Sequence, residues 1–278
     1  MSDSVLPERP PIASAPLSVV LIELSAGPQL EPMLRRWSAF LDGLSREYEI
    51  LAVGGDDTAD ELRRLAKELP RLRFVRRSND GIGAELRAGI TAAQHPLVYT
   101  TPVSADQAPE DLKLFLDAID KVDLVAGTRT GRPIPLPVRA LGMIYRLLVR
   151  VFLGVPLELP PGWKGWQGWV YGKIVHFVFG GGATDVDCLH RLYRRSLFDH
   201  IPIQSDGPFA SAEILAKATF QGCYLDEVKL AYPAVWPKGT SRQRWAEGWR
   251  LFREPHFIPE KPATPASRKD AKRKARKK

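Results

Sequence analysis

Strand-type and helix-type segments alternate along this chain, and the alternation predicts an α/β fold with a mainly parallel sheet and helices on both faces. Three observations carry that prediction. Short apolar runs of strand length recur at 17–22, 48–53 and 96–100. Segments with helical apolar spacing separate them. Loops containing glycine or acids follow the strands at 23–27, 54–57 and 101–106, on what would be a single rim of the sheet. Ligands of such sheets bind at the strands' carboxyl ends, so that rim is where chemistry is expected.

The first strand is the β-branched run Leu-Ser-Val-Val-Leu-Ile at 17–22. Gly27-Pro28 then leads into a helix whose apolar side is Leu30, Met33, Leu34, Trp37 and Leu41. A second strand at 48–53 is followed by Gly-Gly-Asp-Asp and a helix over 60–69 that Pro70 stops. A third strand at 73–76, a helix over 83–93 and a fourth strand at 96–100 repeat the unit. Pro109-Glu-Asp opens another helix, with proline in its first turn and acids facing the positive end of the dipole, and 123–126 is a further strand.

At 278 residues and 44% hydrophobic, the chain can bury one large core. The sequence divides into a Pro- and Ser-rich leader at 1–16, a main domain at 17–258 and a tail at 259–278. Cys188 and Cys223 are too few for a disulfide framework and lack metal-ligand spacing, which points to a reducing, cytoplasmic compartment. The net charge of +8 is mostly local: residues 268–278 hold eight Lys/Arg and one Asp. That block is either a solvated tail or a weak attachment to anionic lipid or RNA; a nucleic-acid role for the body is not expected. No uninterrupted apolar run reaches the length of a membrane-spanning helix, so any membrane contact is expected to be peripheral.

Five blocks stand in order: Asn79-Asp-Gly-Ile-Gly-Ala-Glu-Leu-Arg-Ala-Gly89, Pro109-Glu-Asp-Leu112, Asp123-Leu-Val-Ala-Gly-Thr-Arg129, Asp185-Val-Asp-Cys-Leu-His-Arg191-Leu-Tyr-Arg194, and Glu213-Ile-Leu followed by Glu227-Val228. In this order and spacing they resemble family 2 glycosyltransferases of GT-A (nucleotide-diphospho-sugar transferase) fold. The closest likeness is to the dolichol- and polyprenyl-phosphate mannosyl- and glucosyltransferases. The resemblance implies transfer of a sugar from a UDP- or GDP-sugar to a lipid phosphate or other acceptor, with Mg²⁺ or Mn²⁺.

The blocks suggest site residues. Asn79 and Gly83 are expected on the donor, with Asn79 capping the helix from Gly83 and glycine letting backbone approach a ligand. Arg129, Arg191 and Arg194 are either phosphate holders, since a guanidinium fork fits phosphate oxygens, or surface ion pairs. The resemblance makes Arg191 and Arg194 catalytic and Arg129 acceptor-binding. Gln204-Ser-Asp-Gly207 resembles the acceptor-side loop, with Gln204 on the acceptor and Asp206 either catalytic or a turn residue. Lys238-Gly-Thr-Ser-Arg242 resembles the basic segment that closes over the donor, or is an ordinary loop.

Three places depart from the family pattern. The first strand ends Ile22-Glu-Leu-Ser-Ala26 where Pro-Ala-Tyr-Asn-Glu is expected, and the second ends Val53-Gly-Gly-Asp56-Asp57 where Val-Asp-Asp-Gly-Ser is expected. Asp56 or Asp57 then serves the donor through a shifted loop, or both are solvated turn acids. The metal-binding Asp-x-Asp falls on Pro102-Val103-Ser104. One hydroxyl is a poor substitute for two carboxylates toward a hard cation, which makes the divalent cation doubtful. Ser104 and Asp106 remain as donor-side candidates, with Asp106 the nearest acid for a metal.

Residues 143–182 form an insert with two amphipathic apolar segments and tryptophans at 163, 166 and 169. It is either a surface for a bilayer's headgroup zone or extra core and oligomer interface. Two functions therefore stand: a glycosyltransferase that handles metal weakly or not at all, and a non-catalytic relative that binds or scaffolds at the cytoplasmic face of a membrane.

Overall fold

The computed structural model describes residues 12–103, 108–129, 185–231 and 241–258. Within them Leu17–Ile22 (β1), Tyr48–Gly54 (β2), Leu72–Arg76 (β3), Leu97–Pro102 (β4), Leu124–Arg129 (β5), Arg191–Arg194 (β6) and Leu225–Leu230 (β7) join in one sheet, ordered β3-β2-β1-β4-β6-β5-β7. Every described pairing is parallel except those of β6, which runs antiparallel to β4 and β5. The expected fold class is thus the observed one.

Helices cover both faces because β1 and β2 are apolar on both sides, as strands buried twice must be. Val20, Ile22, Leu51 and Val53 face Leu86 and Ile90 of α3 (Ile82–Ala92) and Ile214 and Leu215 of α5 (Ala210–Phe220). Leu17, Val19, Leu21 and Ile50 face Leu34, Trp37 and Leu41 of α1 (Leu30–Asp42), Leu62 and Leu65 of α2 (Ala59–Glu68), and Phe115 of α4 (Leu112–Ala118). A final helix, α6 (Ser241–Arg253), contributes Leu251 to the first of these cores.

α3 comes unusually close to the sheet. A Cβ added to Gly89 would lie 2.2 Å from a methyl of Val20 and 3.0 Å from one of Val53. Glycine therefore trades helix propensity for close packing here. The expected start of this helix needs correction: its cap is Gly81, at φ 115, and helical residues begin at Ile82, without a side-chain cap from Asn79. Likewise Pro109–Asp111 forms a 3₁₀ turn, and the α-helix begins only at Leu112.

Candidate functional site

The strand order reverses between β1 and β4, the place where open sheets of this kind hold ligands at their carboxyl ends. Glu23 follows β1 there with φ 56, the one non-glycine residue with positive φ among those described. Such a conformation costs on the order of 1–3 kcal/mol and persists only when its surroundings enforce it. One restraint is Glu85 of α3, whose buried carboxylate accepts the Glu23 amide at 2.7 Å. Its other oxygen takes Arg77 Nη1 at 2.6 Å, and Arg77 Nη2 also reaches Asp80 at 3.0 Å. The Arg77 amide donates to the Gly54 carbonyl at 3.0 Å. One carboxylate and one guanidinium thus tie the ends of β1, β2 and β3 to α3.

Glu85 and Arg77 were not singled out by sequence reasoning. The signal was a lone acid between Ala84 and Leu86 on a helix whose neighbours are apolar or glycine. The acids that were singled out lie on the same rim but further out. Asp56 and Asp57 are exposed, and Asp56 pairs with Arg76 at 2.7 Å. Exposed pairs of this kind contribute little to stability.

A second cluster joins three of the expected site residues. Asn79 Nδ2 donates to Asp206 Oδ2 at 3.0 Å, while Arg87 forms an ion pair with the other oxygen. The Asp206 carbonyl accepts the amides of Gly83 at 2.7 Å and Ala84 at 3.2 Å, satisfying the open N–H groups of α3. A Cβ on Gly81 would lie 2.4 Å from that carbonyl, and one on Gly83 2.2 Å from the carbonyl of Ser205. Asn79 and the two glycines therefore seat the 205–207 segment. Burial alone would raise the Asp206 pKa, but hydrogen bonds from Arg87 and Asn79 and the charges of Arg87 and Arg250 outweigh it and lower it. A carboxylate held in this way is a weak base.

The segment is also held from beneath. Glu213 of α5, wholly buried, accepts the amides of Gln204 at 2.7 Å and Ser205 at 2.8 Å and pairs with buried Lys217 at 2.8 Å. Gln204 Oε1 accepts Lys217 Nζ and the His256 amide, each at 2.8 Å, and its Nε2 donates to the Glu254 carbonyl at 3.2 Å. Gln204 therefore links α5 to the chain after α6.

The arginines expected at phosphate all have partners within the protein. Arg191 and Arg194 are the two ends of strand β6, and both are buried. Arg191 donates to the Ser211 carbonyl at 2.6 Å, the Ser211 hydroxyl at 2.7 Å and the Val186 carbonyl at 2.8 Å. Arg194 donates to the carbonyls of Val122, Asp120 and Ile119 at 2.9, 3.0 and 3.3 Å. Arg129 grips Asp185 with Nε at 2.6 Å and Nη2 at 2.8 Å. All three tie the β5–β6 region together. Ser104, Asp106, Lys238 and the insert at 143–182 lie outside the described residues, and Arg242 falls in the first turn of α6.

At the end of β4, Pro102 and Val103 present no side-chain oxygen, and the Val103 amide donates to the Ile22 carbonyl at 3.1 Å. No group of three His, Cys, Asp or Glu among the described residues could hold a metal ion. Beside this strand His190 is buried, with Nδ1 3.0 Å from the Thr101 hydroxyl, and burial, then the Arg129 charge, push its pKa down to about 4. An unfolded histidine takes up its proton near pH 6.5, so stability is expected to be full above that value and to fall by about 3 kcal/mol as pH drops toward 4. Urea titrations across this range check it, and His190→Asn should flatten the slope.

Comparison with known proteins agrees with this architecture. The model of the family described as Glycosyl transferase family 2 matches residues 31–202. The chain is 23% identical over 189 residues to the undecaprenyl-phosphate 4-deoxy-4-formamido-L-arabinose transferase of Pseudomonas syringae, covering 66% of this chain and 48% of that one. It thus spans about half that relative's length. It is 24% identical over 185 residues to the dolichyl-phosphate hexose transferase of Haloferax volcanii, covering 66% of this chain and 69% of that one. Among solved structures, glucosyl-3-phosphoglycerate synthase from Mycobacterium tuberculosis with UDP superposes with a TM-score of 0.58 at 18% identity, covering 88% and 82% of the two chains. The same enzyme bound to Mg²⁺ and UDP gives a TM-score of 0.57 at 17% identity, with the same coverage. The chain belongs to glycosyl transferase family 2.

Proposed function

We propose that this chain moves a sugar from a nucleotide sugar, held at the carboxyl ends of β1 and β4, to an anionic acceptor of the polyprenyl-phosphate class. The observation that carries the reading is Glu23, held at φ 56 by Glu85 at the order reversal of the sheet. Local strain maintained at a ligand-binding rim is a mark of preorganisation. The two relatives named for transfer onto undecaprenyl and dolichyl phosphate support the acceptor class.

The chemistry asks little of the acceptor side. A phosphate oxygen is already anionic, so it attacks the anomeric carbon without a general base while the bond to the nucleotide's diphosphate breaks and its electron pair leaves with the diphosphate. Asp206, kept ionised by Arg87 and Asn79, then serves to seat the acceptor-side segment. A divalent cation would supply charge neutralisation at the diphosphate, but Pro102 and Val103 offer it no side-chain carboxylate or hydroxyl, so no step is assigned to it here. Lys238 and Arg242 are the cations of this chain proposed to face the departing diphosphate, with the protein peripheral on the cytoplasmic membrane face.

The test is an assay with UDP- and GDP-sugars and a detergent-dispersed polyprenyl phosphate, in EDTA and in Mn²⁺. Sugar should appear on the lipid in EDTA at a rate within about tenfold of that in Mn²⁺. Transfer abolished by EDTA and restored by Mn²⁺ would overturn the metal-weak reading. A specific observation also favours a second reading, a non-catalytic binding protein: Arg191 and Arg194, offered by the sequence for the leaving group, are committed to backbone carbonyls. Saturable donor binding without any transfer would select it.

A further inference from the structure

α6 and the segment after it carry exposed aromatic and cationic side chains that sugar transfer does not use. The helix is fixed by its inner side: Leu251 is buried, Gly248 packs on the Phe209 ring, and the Phe209 amide donates to Glu247 Oε2 at 3.2 Å. Trp249, two residues from Leu251, therefore stands roughly on the opposite side of the helix and is 59% exposed. The guanidinium of Arg253 lies 5.3 Å from its ring centroid, and Arg250 is exposed beside it. Further on, Phe257 packs on Phe220 with centroids 5.1 Å apart, while Phe220 and Ile258 are 76% and 44% exposed.

Two considerations identify what would cover this surface. The first is charge: Arg250 and Arg253 are cationic, and the sequence beyond Ile258 adds eight Lys/Arg against one Asp over 268–278, so the partner is anionic. The second is amphipathicity. A tryptophan under a guanidinium, with exposed apolar Phe220 and Ile258 side chains at the ends of α5 and of the segment after α6, suits a boundary where acyl chains meet phosphate headgroups. Position agrees, because Glu247 and Gly248 meet Phe209 just after Asp206, whose carbonyl takes the first amides of α3, which places α6 beside the start of α3 on the carboxyl rim. We propose that the outer face of α6, with Phe220 and Ile258, docks this protein on anionic lipid headgroups. A rim held against the bilayer would meet a lipid-borne phosphate there; that consequence rests on the acceptor proposed above, whereas the docking itself does not.

Flotation of the full chain tests it, with vesicles of phosphatidylglycerol and phosphatidylcholine against phosphatidylcholine alone, all lacking polyprenyl phosphate and nucleotide. Partitioning should be at least about tenfold stronger on the anionic vesicles and should fall with added salt. The triple variant Trp249→Ser/Arg250→Gln/Arg253→Gln, with the tail intact, should lose about tenfold or more. Equal binding to both vesicle types, or undiminished binding by the folded triple variant, would overturn the proposal. So would tighter binding to single-stranded RNA than to anionic vesicles at equal phosphate concentration. Should the triple variant fold poorly, quenching by brominated acyl chains decides: it should drop in Trp249→Phe, and quenching equal to wild type would refute docking. Because these vesicles hold no acceptor, their outcome is independent of whether sugar is transferred.

Discussion

Glu213→Ala should lower the free energy of unfolding by about 3–5 kcal/mol, the scale for stripping one partner from a buried ion pair. The Lys217 ammonium would remain 3% exposed, with only the Pro202 carbonyl at 2.6 Å and Gln204 Oε1 at 2.8 Å as acceptors. The amides of Gln204 and Ser205 would lose their carboxylate at the same time. Adding Lys217→Met to the alanine variant removes the stranded charge and should restore at least half of the loss, which urea unfolding of the single and double variants measures. The functional consequence follows from geometry. Glu213 holds the segment whose Asp206 carbonyl satisfies the amides at the start of α3, so its loss frees the rim as well as the core.

Glu85→Ala acts on the other side of the rim and should separate stability from binding. Its removal leaves Arg77 with Asp80 and the more distant charge of Asp57 and deprives the Glu23 amide of its Glu85 acceptor, a loss of about 2–4 kcal/mol. Part is recovered, because Glu23 can then relax from φ 56 and release on the order of 1 kcal/mol of strain. A net loss of about 1–3 kcal/mol is expected from urea midpoints. Donor binding has no such compensation, because relaxation of Glu23 dismantles the end of β1, and affinity should fall by about tenfold or more. Glu85→Gln keeps an acceptor for the amide while losing the negative charge opposite Arg77, and its effects should be intermediate.

The fold was legible because its strands are buried on both faces. A run such as Leu17–Ile22 is buried throughout and apolar except at Ser18, and the apolar stripe of α1 repeats cleanly through Leu30, Leu34, Trp37 and Leu41. Boundaries slipped where glycine chose between alternatives, as at Gly81, whose positive φ lets the chain turn under Asp206 before α3 begins. The site was legible in composition but not in direction. Asn79, Gly83 and Asp206 do meet, though they bind one another. Arg191 and Arg194 read as ligands because a guanidinium fork fits phosphate oxygens and the surrounding block resembles the family's. Their burial depends on carbonyls at 119–122, 186 and 211, which no local pattern reveals.

The claim that the β1/β4 rim, organised by Glu85, holds the nucleotide sugar is tested most directly by calorimetric titration of UDP- and GDP-sugars into wild type and Glu85→Ala, first in EDTA and then in Mn²⁺. Wild type should bind one of the two nucleotide classes saturably in EDTA, Mn²⁺ should tighten it by less than about tenfold, and Glu85→Ala should weaken it by about tenfold or more. Absence of saturable binding to either class under both conditions, or equal affinity in wild type and variant, would contradict it.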